Sequence, residues 1–169
     1  MELETDLERI RHLANKRERE NWTFRAFLKT SGISSARIDA RVHELCREIS
    51  SHIDCTQCAN CCKVVGPLLG PSDVKRLAAA LALPVKEFRS EYLEVDPGDG
   101  RERFKRESCP LLKENRCTAY EHRPHDCRSF PHLHKREFVS RLSQAVSNCS
   151  FCPIVFNVYE ELKREFWRR

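Results

Sequence analysis

The 169-residue sequence is poor in features that mark several common protein classes, with only one methionine and five glycines. It contains no apolar run close to the roughly 20 residues that a membrane-spanning helix needs, so we expect no membrane contact. Its first ten residues, MELETDLERI, lack the basic and apolar regions of a secretory signal. These absences favour a cytoplasmic protein whose ten cysteines are reduced thiols rather than a disulfide framework.

Common catalytic signatures are missing as well. The chain has no GxGxxG, GxxxxGKS/T, HExxH or GxSxG motif, which argues against dinucleotide-binding, P-loop, zinc-protease and α/β-hydrolase sites. A radical-SAM site needs C-x3-C-x2-C, and Val65 stands where the third cysteine would follow Cys58 and Cys62. The sequence therefore assigns no catalytic residue. It leaves enzymatic activity open, including a metal site with an open position completed by His125 or His132.

Positive charge is present in modest and local excess. The net charge is +5, and residues 101–136 alone hold ten basic and five acidic side chains. Three cysteines lie in the same stretch, and positive charge suits neighbouring thiolates or a negatively charged cluster. The alternative is a basic surface that binds a protein or, less favoured, a nucleic acid.

Hydrophobic periodicity predicts a mainly α fold. Apolar residues at helical spacing predict helical stretches over 3–31, 35–53, 73–83, 85–93, 137–146 and 154–167. Serine caps are expected at Ser34 or Ser35 and at Ser72, and Pro153 suits the first position of the last helix. Residues 64–71 are predicted as a loop, and residues 113–116 are able to turn a short β-hairpin.

The length is near that of one compact domain, so we predict a single small domain over 1–169. Its predicted parts are N-terminal helices over 1–53, an irregular cysteine-rich metal-binding middle over 54–131, and C-terminal helices over 132–169.

The middle contains a dense cysteine motif, Cys55-x2-Cys58-x2-Cys61-Cys62. C-x2-C spacing lets two sulfurs converge on one metal, and it occurs in both zinc knuckles and iron–sulfur loops. Adjacent side chains point in different directions, so Cys61 and Cys62 suit two neighbouring sites or one multinuclear site. A single four-ligand site with the other thiols buried stays open, and Cys46 is expected to be a core residue.

Later motifs continue this pattern. The chain carries Cys109-Pro110-Leu111-Leu112, then Cys117-Thr118-Ala119-Tyr120, and then residues 123–131, RPHDCRSFP. In this order the motifs resemble the CxxCxxCC family of zinc- or iron-chelating proteins, also called YkgJ-like cysteine-cluster proteins. The resemblance covers about 55–131, and Cys152-Pro153 resembles a later Cys-Pro of longer members.

The resemblance implies a set of metal ligands: Cys55, Cys58, Cys61, Cys62, Cys109, Cys117 and Cys127. One of Cys149 and Cys152 is expected to add a further ligand. Arg123 and Arg128 match the motif's arginines and would contact the cofactor site, where guanidinium donors offset thiolate charge. Flagellin lysine methylases share this cysteine motif and are associated with an iron–sulfur cluster, which favours iron–sulfur over zinc.

These observations predict a metal-binding protein with one or two cysteine-ligated centres. Iron–sulfur is favoured as the cofactor, with 4Fe–4S the preferred form, and zinc is the alternative. The expected role is redox, metal handling or accessory, with metal ions and an unidentified protein as partners. The competing hypothesis is a structural zinc module that binds a protein or nucleic acid through its basic surface.

Overall fold

The computed structural model describes residues 2–98, 100–105 and 108–167. Its α-helices are α1 Leu7–Lys16, α2 Glu18–Thr30, α3 Ser35–Ser50, α4 Cys55–Cys58, α5 Asn60–Val64, α6 Pro71–Ala80, α7 Val85–Tyr92, α8 His125–Ser129, α9 Leu142–Asn148 and α10 Pro153–Phe166. Its strands are β1 Leu68–Leu69, β2 Leu93–Val95, β3 Glu102–Phe104, β4 Leu112–Lys113 and β5 Arg116–Cys117. Short 3₁₀ helices span Tyr120–His122 and Phe138–Arg141. The predicted mainly α fold is confirmed.

Contacts divide the chain into two compact units. The first, the helical unit, comprises Met1–Asp54 and Pro131–Arg169, and the second, the cysteine unit, comprises Cys55–Phe130. Among the described residues, no helix is both long and apolar enough to cross a membrane.

The helical unit is built around α10, which packs against α1, α3 and α9. Ser34 caps α3 by accepting the backbone N–H of Arg37, and Pro153 begins α10, as predicted. The first helical stretch differs from the prediction because it breaks at Arg17 into α1 and α2. Both helices contribute to the core, since Ile10 of α1 and Phe24 of α2 are fully buried.

The core of the cysteine unit lies between a small sheet and the helices α6 and α7. The sheet is antiparallel with strand order β1-β3-β2. Strand β1 falls in the segment predicted as a loop, where the apolar pair Leu68-Leu69 stands between Pro67 and Gly70. Helix α6 begins one residue before Ser72, and Asp73 rather than Ser72 accepts the N–H of Gly70. The buried core residues are Leu69, Val74, Leu77, Ala78, Phe88, Leu93, Phe104, Leu111 and Ala119.

Strands β4 and β5 form the predicted β-hairpin. Leu112 pairs with Cys117 and Lys113 with Arg116. The two turn residues, Glu114 and Asn115, have φ values of +48° and +61°, as a tight two-residue hairpin turn requires. The hairpin fixes the backbone of Cys117, and the side chains of Cys109 and Cys117 pack against the core of the cysteine unit.

Candidate metal centre

The first cysteine motif folds into two short helical turns that meet at Ala59. Helix α4 carries Cys55 and Cys58, and α5 carries Cys61 and Cys62. Ala59 lies between them with φ +46° and ψ +11°, a left-handed conformation that costs a non-glycine residue about 1–2 kcal/mol. The reversal at Ala59 sets the two cysteine pairs on separate turns, so the motif presents its thiols in more than one direction.

Cys62 and three cysteines from other parts of the cysteine unit lie close enough for their charges to act on one another. The charge of Cys62 acts on Cys109, Cys117 and Cys127, and Cys109 and Cys117 both act on Cys127. The backbone also joins two of these segments, because the N–H of Cys109 donates to the Cys62 carbonyl at 2.7 Å. The fold thus gathers one thiol from α5, one from the loop before β4, one from β5 and one from α8.

The protonation of these four thiols is strongly unequal. The pKa of Cys62 is lowered to about 7, chiefly by a hydrogen bond from the Cys61 thiol and then by the charges of Arg123 and Lys63, against the effect of burial. Burial raises the pKa of Cys109 to about 11 and that of Cys127 to about 12, and it also raises the pKa of Cys117. Because a metal binds thiolates, binding here would release protons from the buried thiols.

This inequality gives a prediction for the reduced, metal-free protein. At pH 7 about half of Cys62 is thiolate, whereas Cys109 holds roughly one thiolate in 10,000. Because the thiolate is the nucleophile, we expect iodoacetamide to alkylate Cys62 far faster than Cys109 or Cys127 at neutral pH. Peptide mapping by mass spectrometry over a pH series measures this, and identical pH profiles for Cys62 and Cys109 would contradict the described geometry.

Arg123 is a motif arginine that lies close to two of the thiols. Its charge lowers the pKa of Cys62 and Cys117, and its guanidinium carbon lies 3.5 Å from the ring centre of Tyr120. Its Nε is buried, and the structure gives this atom no hydrogen-bond partner among the described residues. Burying an unpaired donor is costly, so Arg123 fits beside a thiolate-bound centre that offers an acceptor.

Arg128, the second arginine of the motif, binds the backbone of its own loop. Its Nε donates to the carbonyl of Arg123 at 3.0 Å, and its Nη2 lies 3.5 Å from the carbonyl of Glu121. Its side chain is exposed. Its contacts therefore support the loop that carries Arg123.

The remaining cysteines of the motif lie at the border of this cluster. Cys61 binds Cys62 directly, and Cys58 is half-buried whereas Cys55 is exposed. Helix α4, which carries Cys55 and Cys58, packs against β5, which carries Cys117. All seven predicted ligands from Cys55 to Cys127 thus belong to the cysteine unit.

The other three cysteines belong to the helical unit. Cys149 follows α9 and Cys152 precedes α10, and both are buried. Burial raises the pKa of Cys149 far above its usual range. Cys46 lies on α3 with its Sγ 3.8 Å from the Ser50 hydroxyl, and burial raises its pKa too.

The four histidines that lie near Cys127 in the sequence are divided between the units. His122 and His125 lie in the cysteine unit, whereas His132 and His134 lie in the helical unit. In the cysteine unit, the main-chain atoms of both histidines bind α6: the His122 carbonyl accepts from Arg76, and the His125 N–H donates to Asp73. Sequence reasoning does not single out Asp73 or Arg76, because an acidic residue near a helix start predicts only a cap.

The donor chemistry fits a metal centre, although the ligand cage is not closed. Within residues 2–98, 100–105 and 108–167, no three His, Cys, Asp or Glu side chains are placed so that they could hold a metal ion as they stand. The thiols that share one electrostatic environment are nevertheless suited to bind a metal as thiolates, and the buried donor of Arg123 is suited to support them. Binding a metal here would require the thiol side chains to move.

Comparison with known proteins identifies one family. A family model described as CxxCxxCC, putative zinc- or iron-chelating domain, matches residues 54–153, which is more than half of the chain. The match includes every cysteine except Cys46, and it confirms the resemblance seen in the cysteine motifs. Curated proteins and solved structures give no match.

Proposed function

Because the chain belongs to the CxxCxxCC family of zinc- or iron-chelating domains, we propose that it is an iron–sulfur protein with a redox or accessory role. The centre would be held in the cysteine unit by Cys62, Cys109, Cys117 and Cys127. When bound, an iron–sulfur cluster supplies an electron acceptor and donor whose potential depends on the groups around its sulfurs.

The observation that carries this proposal is the convergence of these four thiols. They come from separate elements. Ionising three of them without a metal is unfavourable, since burial raises their pKa. A metal offsets that cost because it binds the thiolate form directly. Ordinary core cysteines do not need to share one charged environment beside an arginine.

Iron–sulfur is favoured over zinc by the sequence around one ligand and by a nearby arginine. The four convergent ligands are all sulfur, a donor set that an iron–sulfur cluster and a structural zinc ion share. Cys109 is followed by Pro110, as is the distant ligand in bacterial ferredoxin motifs. The buried Nε–H of Arg123 is suited to donate to a cluster sulfur, a contact that tunes reduction potential.

The basic stretch supports this function better than a nucleic-acid surface. Arg103 forms ion pairs with Glu94 and Asp96, both at 2.9 Å. The Lys105 ammonium donates to the Ser90 carbonyl, and Arg123 stacks on Tyr120. These cations are engaged by groups of the cysteine unit, and the ion pairs of Arg103 reduce the net charge available to a polyanion.

The test is metal analysis of the full chain purified without oxygen. We expect a brown protein with broad absorbance near ~400 nm and with iron and acid-labile sulfide in similar amounts. A colourless protein with stoichiometric zinc and no sulfide would contradict the iron–sulfur proposal and support the structural zinc module. A protein without either metal would contradict both.

A further inference from the structure

A buried carboxylate on α6 is bound to the segment that leads into Cys127. Asp73 is 5% exposed, and its Oδ1 accepts the backbone N–H of His125 at 3.1 Å. Its Oδ2 accepts the N–H of Gly70, also at 3.1 Å. The Gly70 contact is the ordinary hydrogen bond at the start of α6. The contact with His125, 52 residues further along the chain, is not needed to start α6.

Arg76 extends this connection to the residues around Arg123. Its Nη2 donates to Asp73 Oδ1 at 2.5 Å and to the carbonyl of Arg123 at 2.8 Å. Its Nε donates to the carbonyl of His122 at 3.3 Å. Asp73 and Arg76 together therefore bind three backbone groups of residues 122–125. These are the carbonyls of His122 and Arg123 and the N–H of His125.

These contacts fix a segment that contains Arg123 and leads into Cys127. Arg123, inside the segment, directs its charge at Cys62 and Cys117. His125 begins α8, the helix that carries Cys127, so the Asp73 contact sets where this short helix starts. A helix of five residues has little intrinsic stability, and its position therefore depends on such contacts.

We propose that Asp73 and Arg76 are positioning residues for the metal centre, an inference that rests on the proposed function. They hold the 122–125 backbone so that the Arg123 guanidinium and the Cys127 thiol reach the same centre. Groups that orient metal ligands from outside the ligand shell commonly change metal affinity about 10–100-fold. Asp73 and Arg76 act through the backbone, so we expect an effect near the lower end of that range.

The experiment compares variants of the full chain by the rate at which they lose metal to a coloured chelator. The test variants are D73A and R76M. The matched control is D39A, because Asp39 is likewise a buried carboxylate that accepts two backbone N–H groups, from Glu137 at 2.8 Å and Phe138 at 2.9 Å, within the helical unit. Thermal unfolding of each variant is recorded beside the release rate.

We expect D73A and R76M to release metal about 10-fold faster than the wild type, whereas D39A releases it at the wild-type rate despite losing stability. The positioning role would be overturned if the metal-release rate rose in proportion to the loss of thermal stability, and equally so, in D39A and D73A. It would also be overturned if both D73A and R76M released metal at the wild-type rate.

R76M decides the question if D73A does not fold, because it retains the Asp73 contacts with Gly70 and His125. If the wild type holds zinc, the same comparison tests the positioning role while the iron–sulfur proposal fails. A wild type without metal overturns both.

Discussion

Replacing Cys127 with serine is expected to abolish metal retention by the full chain. Cys127 is the thiol on which the charges of Cys62, Cys109 and Cys117 all act, so it lies within the cluster rather than at its border. A serine hydroxyl has nearly the same size but does not ionise at neutral pH, and it is a poor ligand for soft metals. Losing a supporting group already weakens metal binding about 10–100-fold, and losing a ligand should exceed that range.

The matched control is Cys46→Ser. Cys46 is a half-buried cysteine of the helical unit whose thiol lies 3.8 Å from the Ser50 hydroxyl, and its replacement should leave the metal content unchanged. Metal and sulfide are measured per chain in both variants after anaerobic purification. Wild-type metal content in C127S, with a folded cysteine unit by circular dichroism, would exclude Cys127 as a ligand.

Truncating Phe88 to alanine is expected to destabilise the cysteine unit by about 3–5 kcal/mol. Phe88 is fully buried and stacks on Tyr92 with ring centres 5.2 Å apart. It belongs to the core against which Cys109 and Cys117 pack. Removing the ring leaves a cavity in the core against which two candidate ligands pack, so metal retention should fall together with stability.

Hydrogen exchange of the α6 and α7 amides measures this loss in the cysteine unit itself. Phe88→Leu serves as the control, because it preserves most of the buried volume and should cost less than about 1.5 kcal/mol. Amide protection in F88A equal to that of the wild type would show that this core does not support the candidate centre.

Much of the fold follows from local sequence rules. The cap at Ser34, the proline that starts α10 and the apolar stripe of α3 predict their helices because each depends on residues within one or two turns. The hairpin at Glu114 and Asn115 is predicted for the same reason. The break at Arg17 has no signal in the apolar spacing, and the pairing of β1 with β3 joins residues that are far apart in the sequence, such as Leu68 and Arg103.

The candidate site is likewise predictable from the sequence only in part. The cysteine spacing identifies the thiols, but it does not reveal that Cys62 is the one around which Cys109, Cys117 and Cys127 gather. Both arginines of the motif are predicted to contact the cofactor site, and only the folded loop distinguishes Arg123, whose charge reaches the thiols, from Arg128, which binds carbonyls. Asp73 has no signal in the sequence because its partner, His125, contributes a backbone N–H.

The most direct measurement is a map of thiol protection in the metal-loaded full chain and in the same sample after chelation. The proposed centre predicts that four cysteines, Cys62, Cys109, Cys117 and Cys127, are alkylated slowly with metal and faster without it. Cys46 should react at one rate in both samples, and buried Cys149 should stay protected in both. An alkylation pattern that is the same with and without metal would contradict a metal centre built on these four thiols.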